Sequence, residues 1–155
     1  MDRVKLAKEN FKSGCNCTQA VVCAYCDLFG LPTETGMVVS EAFGGGMGRM
    51  RLTCGAVSGM FMLAGLKYSS GVKNDMEGRK KVYSTVQEMA KAFREKNGSI
   101  ICADLLGLNM PKDGGATPTP RTKEFYEKRP CIECIGDCAM LVEQFLFGNE
   151  DSSSD

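Results

Sequence analysis

The sequence predicts an all-α protein, a single-domain irregular helical bundle of about six helices with a Gly-rich loop. Apolar residues recur at three- and four-residue spacing along most of the chain, and no segment alternates apolar and polar residues as a half-buried strand would. The breaks between periodic segments are short and marked by Gly, Pro, Asn or Ser. At 155 residues and 43% hydrophobic composition, the chain suffices for one core and not comfortably for two. The expected domain covers 1–147, and residues 148–155, ending in NEDSSSD, form a polar tail with no reason to order.

Taken in order, Val4, Leu6, Ala7 and Phe11 give a first amphipathic helix, which Ser13-Gly14 ends. Residues 18–29, TQAVVCAYCDLF, read as a second helix carrying Cys23 and Cys26 and stopped by Gly30-Leu31-Pro32. Thr33 is placed to cap a short helix over 34–43 that runs into Phe43-Gly44-Gly45-Gly46-Met47-Gly48, a tight turn. Thr53 is then expected to cap a helix over 54–68, in which Gly55, Ala56, Ser58 and Gly59 leave a smooth face for another helix to lie against. Asn74 or Asp75 starts a long helix to about Lys96, with Val82, Val86, Met89, Ala90 and Phe93 turned inward, and Asn97-Gly98 ends it. Ser99 caps a shorter helix through Leu106 that carries Cys102. Residues 109–121, with three prolines and two glycines, read as a surface loop, and a last helix runs over 131–147.

Lysine plus arginine equals aspartate plus glutamate at 19 each, so no strong positive field exists to attract nucleic acid. Charges at Asp2, Arg3, Lys5, Lys8 and Glu9 interrupt what a signal peptide would need as an apolar run, and the expected location is cytoplasmic. The most apolar stretch, 52–66, is shorter than the roughly 20 residues of a bilayer-spanning helix, so no membrane span is expected. In a reducing compartment, nine cysteines point to metal binding or redox chemistry more than to a disulfide scaffold. The absence of histidine removes Ser-His-Asp and Cys-His nucleophile pairs, HExxH zinc chemistry and CxxCH haem attachment. No haem is expected, and any metal must be held by sulfur or oxygen.

Cys54 stands just past the Gly-rich turn at the start of a helix, where unpaired amides and the helix dipole favour a thiolate and lower its pKa. Arg49 and Arg51 nearby strengthen that reading, against the alternative of a small buried residue at a close helix contact. Cys17, in GCNCTQA, occupies the same kind of loop-to-helix junction, whereas Cys15 should face elsewhere. Cys23 with Cys26, and Cys131 with Cys134, both read CxxC and could together form a thiolate tetrad for zinc or iron. Cys23 and Cys26 lie in an apolar helix, however, and core packing accounts for them; Cys134 and Cys138 are one turn apart and open to the same account. Successive amides at Gly44, Gly45, Gly46 and Gly48, with Gly55 following, could bind a cofactor as an anion nest. The segment nevertheless lacks the lysine and hydroxyl residue of a phosphate loop, and no βαβ unit surrounds it.

The motifs GCNCTQA (14–20), FGGGMG (43–48), CGAVSG (54–59) and CADLLG (102–107), followed by a cysteine opening the last helix, resemble a family of small redox-active bacterial and archaeal proteins labelled C_GCAxxC_C_C. That family is defined by four cysteines and a CGAxxG motif, and the resemblance spans almost the whole chain. Carried over position by position, the four cysteines are Cys17, Cys54, Cys102 and Cys131, with Cys134 as the alternative fourth. Thr18 stands where the family often has alanine. The resemblance implies an all-helical, redox-active domain acting through these cysteines by thiol/disulfide exchange or electron transfer. Similar domains are attached to multihaem cytochromes of the split-Soret type, which implies a four-Cys [2Fe-2S] centre as an alternative, with zinc ranked behind it. A non-enzymatic module serving a transporter is a third reading. Partners left open are a redox partner, transport-related proteins and a second copy of the chain as a homodimer.

Overall fold

The computed structural model describes residues 1–107 and 115–148. Eight α-helices are found there: α1 (Arg3–Lys12), α2 (Cys17–Cys23), α3 (Thr33–Glu41), α4 (Gly55–Tyr68), α5 (Met76–Asn97), α6 (Cys102–Leu106), α7 (Lys123–Lys128) and α8 (Cys131–Val142). A 3-10 turn at Cys26–Phe29 follows α2, and a π-helical turn at Glu143–Phe147 continues α8. The all-α class agrees with the sequence expectation, while the helix count exceeds the expected six or so. The added helix α7 is short and mostly polar, held by a cap in which Thr122 Oγ1 accepts from the Phe125 amide at 3.1 Å. Such a helix has no apolar period to reveal it.

Three boundaries move for identifiable reasons. The run 18–29 breaks into α2 and the 3-10 turn because Tyr25 leaves helical geometry, at φ −130°, and buries its ring. Pro32, not Thr33, precedes the first turn of α3. Thr53 does not cap α4 but forms an isolated antiparallel bridge with Ile101, the one β pairing among the described residues, which leaves Cys54 at the N-cap. Asp75 and Gly98 bound α5 as expected: Asp75 accepts from the Gly78 amide at 3.0 Å, and Gly98 ends the helix at φ 87°. The tail at 149–155 and the loop residues 108–114 lie outside the described residues.

α4 is apolar on nearly all sides and therefore occupies the centre, with Met60, Leu63 and Ala64 fully buried. α2 presses on its smooth face so closely that a Cβ on Gly59 would sit 3.1 Å from the Thr18 carbonyl oxygen and from Val21 Cβ. α5 covers a second side with Met89 and Phe93, and α8 a third with Ile135, Ala139 and Val142. The buried Tyr25 hydroxyl hydrogen-bonds the Ala139 carbonyl at 3.1 Å and Glu143 Oε1 at 3.0 Å, tying the end of α2 to α8. No helix among the described residues is long and apolar enough to cross a membrane.

Candidate functional site

Cys17 is set by a capping box. Asn16 Oδ1 accepts from the Gln19 amide and Gln19 Oε1 accepts from the Asn16 amide, both at 2.9 Å, so α2 must begin at Cys17. Asn16 also donates to the Glu41 carbonyl at 3.0 Å and packs against Gly44, where a side chain would collide with it. The Cys17 sulfur rests on Gly55 beside Thr18 Oγ1, and a Cβ at Gly55 would overlap both. Amides of Gly45, Cys17 and Thr18 are directed at that sulfur.

Cys54 and Cys102 are brought together by a short backbone exchange. The Cys54 amide donates to the Ile100 carbonyl at 2.7 Å, and the Cys102 amide donates to the Leu52 carbonyl at 2.6 Å. Between α3 and this exchange, Gly45, Gly46, Met47, Gly48 and Arg49 all have positive φ, between 59° and 75°, and Arg51 follows at 63°. Three of these six residues are not glycine, and the left-handed region is sterically costly for them. Gly46 is required for a second reason, since its missing Cβ would lie 2.6 Å from Cys102 Cβ and 2.7 Å from Arg51 Cα.

These devices line one cavity of about 400 Å³ with Cys17, Cys54, Cys102, Cys131 and Cys134. Gly44, Gly45, Gly48 and Gly55 also line it, whereas Gly46 is buried behind Cys102. Cys131 and Cys134 both reach the site. Cys134 shares the buried core with Cys54, and Cys131 packs against that core on the cavity wall. All nine cysteines are free thiols. The tetrad of two CxxC pairs does not assemble: Cys23 and Cys26 sit against Gly36 and Val22, and Cys15 Sγ lies 3.8 Å from Met37 Sδ. Cys138 is wholly buried and does not line the cavity.

The amides at Cys17 and Cys54 act as expected on a thiolate, but burial acts more strongly. Burial pushes the Cys17 thiol up, the neighbouring Cys54 adds to it, and the three amides only partly offset them. Cys54 is raised well above its ordinary value, first by its contact with Cys134 and then by burial, against the amides of Val57 and Ala56. Burial also raises Cys102, opposed by Arg51, whose Nη1 stands 3.9 Å from its sulfur. Cys131 is pushed up to about 12, chiefly by burial. The expected lowering of the Cys54 and Cys17 pKa values is therefore corrected: both are raised, so that each keeps its proton at neutral pH.

Sequence reasoning missed the roof of the cavity. Arg49 donates to the Gly115 carbonyl at 2.7 Å and Thr119 Oγ1 at 2.9 Å. Arg121 stacks 4.3 Å over the Phe11 ring and 4.8 Å over Phe125, and donates to the carbonyls of Phe11 and Cys15 at 3.1 and 2.9 Å. Arg129 stacks 4.4 Å over Phe125. Arginines preceding a Cys-bearing helix were the available signal, and nothing in their spacing ties them to Cys102. As placed, no three Cys, Asp or Glu side chains among the described residues gather closely enough for one metal ion, so a single zinc in a tetrahedral four-sulfur site does not fit without movement.

A family model described as "Putative redox-active protein (C_GCAxxG_C_C)" matches residues 15–145. Its label differs by one letter from the one the motifs brought forward. No curated protein and no solved structure matches the chain.

Proposed function

Because the chain belongs to the C_GCAxxG_C_C family, we propose that it is a thiol redox protein in which Cys54 and Cys134 form the working couple, with Cys17, Cys102 and Cys131 beside them. The burial of Cys54 and Cys134 in one core cluster, on the wall of a cavity lined by three further thiols, carries this reading. Once Cys54 loses its proton, the amides of Ala56 and Val57 at the start of α4 hold the anion. Attack on a disulfide of a partner forms a mixed disulfide and releases one partner thiol. Attack by Cys134 then closes the Cys54–Cys134 disulfide and releases the second. Two thiols are oxidised, one disulfide is reduced, and the two protons leave on the products.

A second reading, a [2Fe-2S] centre, draws on the same five sulfurs. Each iron of such a centre takes two thiolates, so pairs suffice where a single ion would need a cluster. One preparation purified without oxygen separates the two. Metal-free protein whose Cys54 and Cys134 peptides become disulfide-linked reversibly in a redox buffer, with pairing lost in Cys54→Ser and Cys134→Ser, supports the thiol couple. Iron and labile sulfide that vanish in Cys54→Ser would replace it with the cluster. Thiols that neither pair nor carry metal would overturn both.

A further inference from the structure

Among the described residues, two guanidinium groups in the cavity have no carboxylate partner. Arg51 and Arg129 both line it and are only partly exposed. Arg51 reaches the Cys102 sulfur at 3.9 Å, while Arg129 donates to Thr119 Oγ1 at 3.1 Å and stacks on Phe125. Among the described residues no carboxylate pairs with either. The carboxylate found among the described lining residues, Glu41, is exposed at the end of α3.

Burial lowers the Arg129 pKa, the neighbouring Cys131 opposes that, and Arg51 adds to the lowering. Arg51 and Arg129 thus share a partly desolvated space in which burial keeps the Cys17, Cys102 and Cys131 thiols neutral, a costly arrangement unless an anion joins them. Most backbone amides of the turn are already engaged. Those of Met47, Gly48, Arg49, Arg51 and Leu52 are spent on carbonyls within the turn, and that of Gly45 faces Cys17. The Gly-rich segment therefore offers few free donors to an anion, and the arginines are the stronger candidates. Its left-handed run does something else, because it ends at Arg51, held at φ 63° with its side chain beside Cys102.

We infer that the cavity binds a small oxyanion, a carboxylate or a tetrahedral oxoanion, on Arg51 and Arg129 beside the Cys102 and Cys131 thiols. Guanidinium groups offer paired N–H donors matched to two oxygens of such a ligand. The inference rests on the redox reading of the same site and adds the substrate class: an anionic oxidant, or one bearing an anionic group.

Alkylation with iodoacetate and with iodoacetamide, mapped to individual cysteines by peptide mass spectrometry, tests it. Both reagents attack thiolate, so their rate ratio is insensitive to thiol pKa and reports attraction of the anionic reagent alone. In the native protein the iodoacetate-to-iodoacetamide ratio at the cavity thiols should exceed that of free cysteine by roughly tenfold, as two cations lining the same cavity imply. Arg51→Gln or Arg129→Gln should return it toward the free value, and Arg51→Lys should retain part of it. Sulfate or malonate, against chloride at equal ionic strength, should slow alkylation and raise the melting temperature of the native protein. A preference for sulfate over malonate would assign a tetrahedral ligand, and the reverse a carboxylate.

A ratio equal to that of free cysteine, with no melting shift from either anion, overturns the inference and leaves thiol pairing untouched. Thiols that never pair, in a protein that sulfate or malonate still stabilises through these arginines, would overturn the redox couple and keep the anion site.

Discussion

At the scale of single residues, the site is governed by the competition between burial and local donors at sulfur. Cys17 and Cys54 each meet helix-start amides, and each still prefers its proton: at Cys17 burial outweighs the amides, and at Cys54 the neighbouring Cys134 does so first, with burial adding to it. This has a signed consequence for stability. Cys131 is pushed up to about 12 in the folded chain, against about 8.5 for an unfolded thiol. Between those values the unfolded chain gives up a proton that the folded chain keeps, so stability is complete below the lower value and falls as pH rises toward the upper one. The decline should reach about 1.4 kcal/mol per pH unit for each such thiol. Urea midpoints measured from pH 8 to 10 should fall, and less steeply in Cys131→Ala. Cys23, also raised to about 12, keeps the variant from being flat. An equal slope in both proteins would show that Cys131 ionises as freely as in the unfolded chain.

At the scale of elements, helix starts do the positioning. Asn16→Ala removes the side chain that accepts from the Gln19 amide and donates to the Glu41 carbonyl, and should destabilise the protein by roughly 1–2 kcal/mol. Chemical denaturation reads that loss, and faster alkylation of Cys17 should accompany it if the cap holds the thiol in place; unchanged stability would assign the start of α2 to packing alone. Much of this level was legible. The stops at Gly14 and Gly98, the cap at Asp75 and the smooth face of α4 follow from local residue chemistry. Tyr25 and Thr53 were not legible, because each departs from its local preference to satisfy a distant partner: the Ala139 carbonyl and Glu143 in one case, Ile101 in the other. The helix α7 was hidden by its polar composition.

At the scale of the molecule, the thiols are sorted into separate places. Cys23 and Cys26 pack against Gly36, away from the cavity, although their CxxC spacing matches that of Cys131 and Cys134. The cavity is roofed by residues far along the chain, and Arg121 fastens that roof to α1 through the Phe11 carbonyl and ring and to the turn after it through the Cys15 carbonyl. Arg121→Ala should therefore cost about 1–2 kcal/mol and speed iodoacetamide labelling of Cys131 and Cys134 without affecting Cys26. Equal labelling rates would show that the roof does not limit access.

The sequence alone determined the helical class, most helix ends, and the placing of Cys17 and Cys54 at helix starts, because periodicity, caps and glycine stops act within a few residues. Through the motifs it also singled out Cys102 and Cys131. Only the tertiary structure decided that Cys134 adjoins Cys54, that most of the Gly-rich amides are already occupied, that burial and neighbouring thiols override the helix-start donors, and that Arg51 and Arg129 share the cavity. Those outcomes depend on which surfaces meet and how much water they exclude, and spacing along the chain does not encode either.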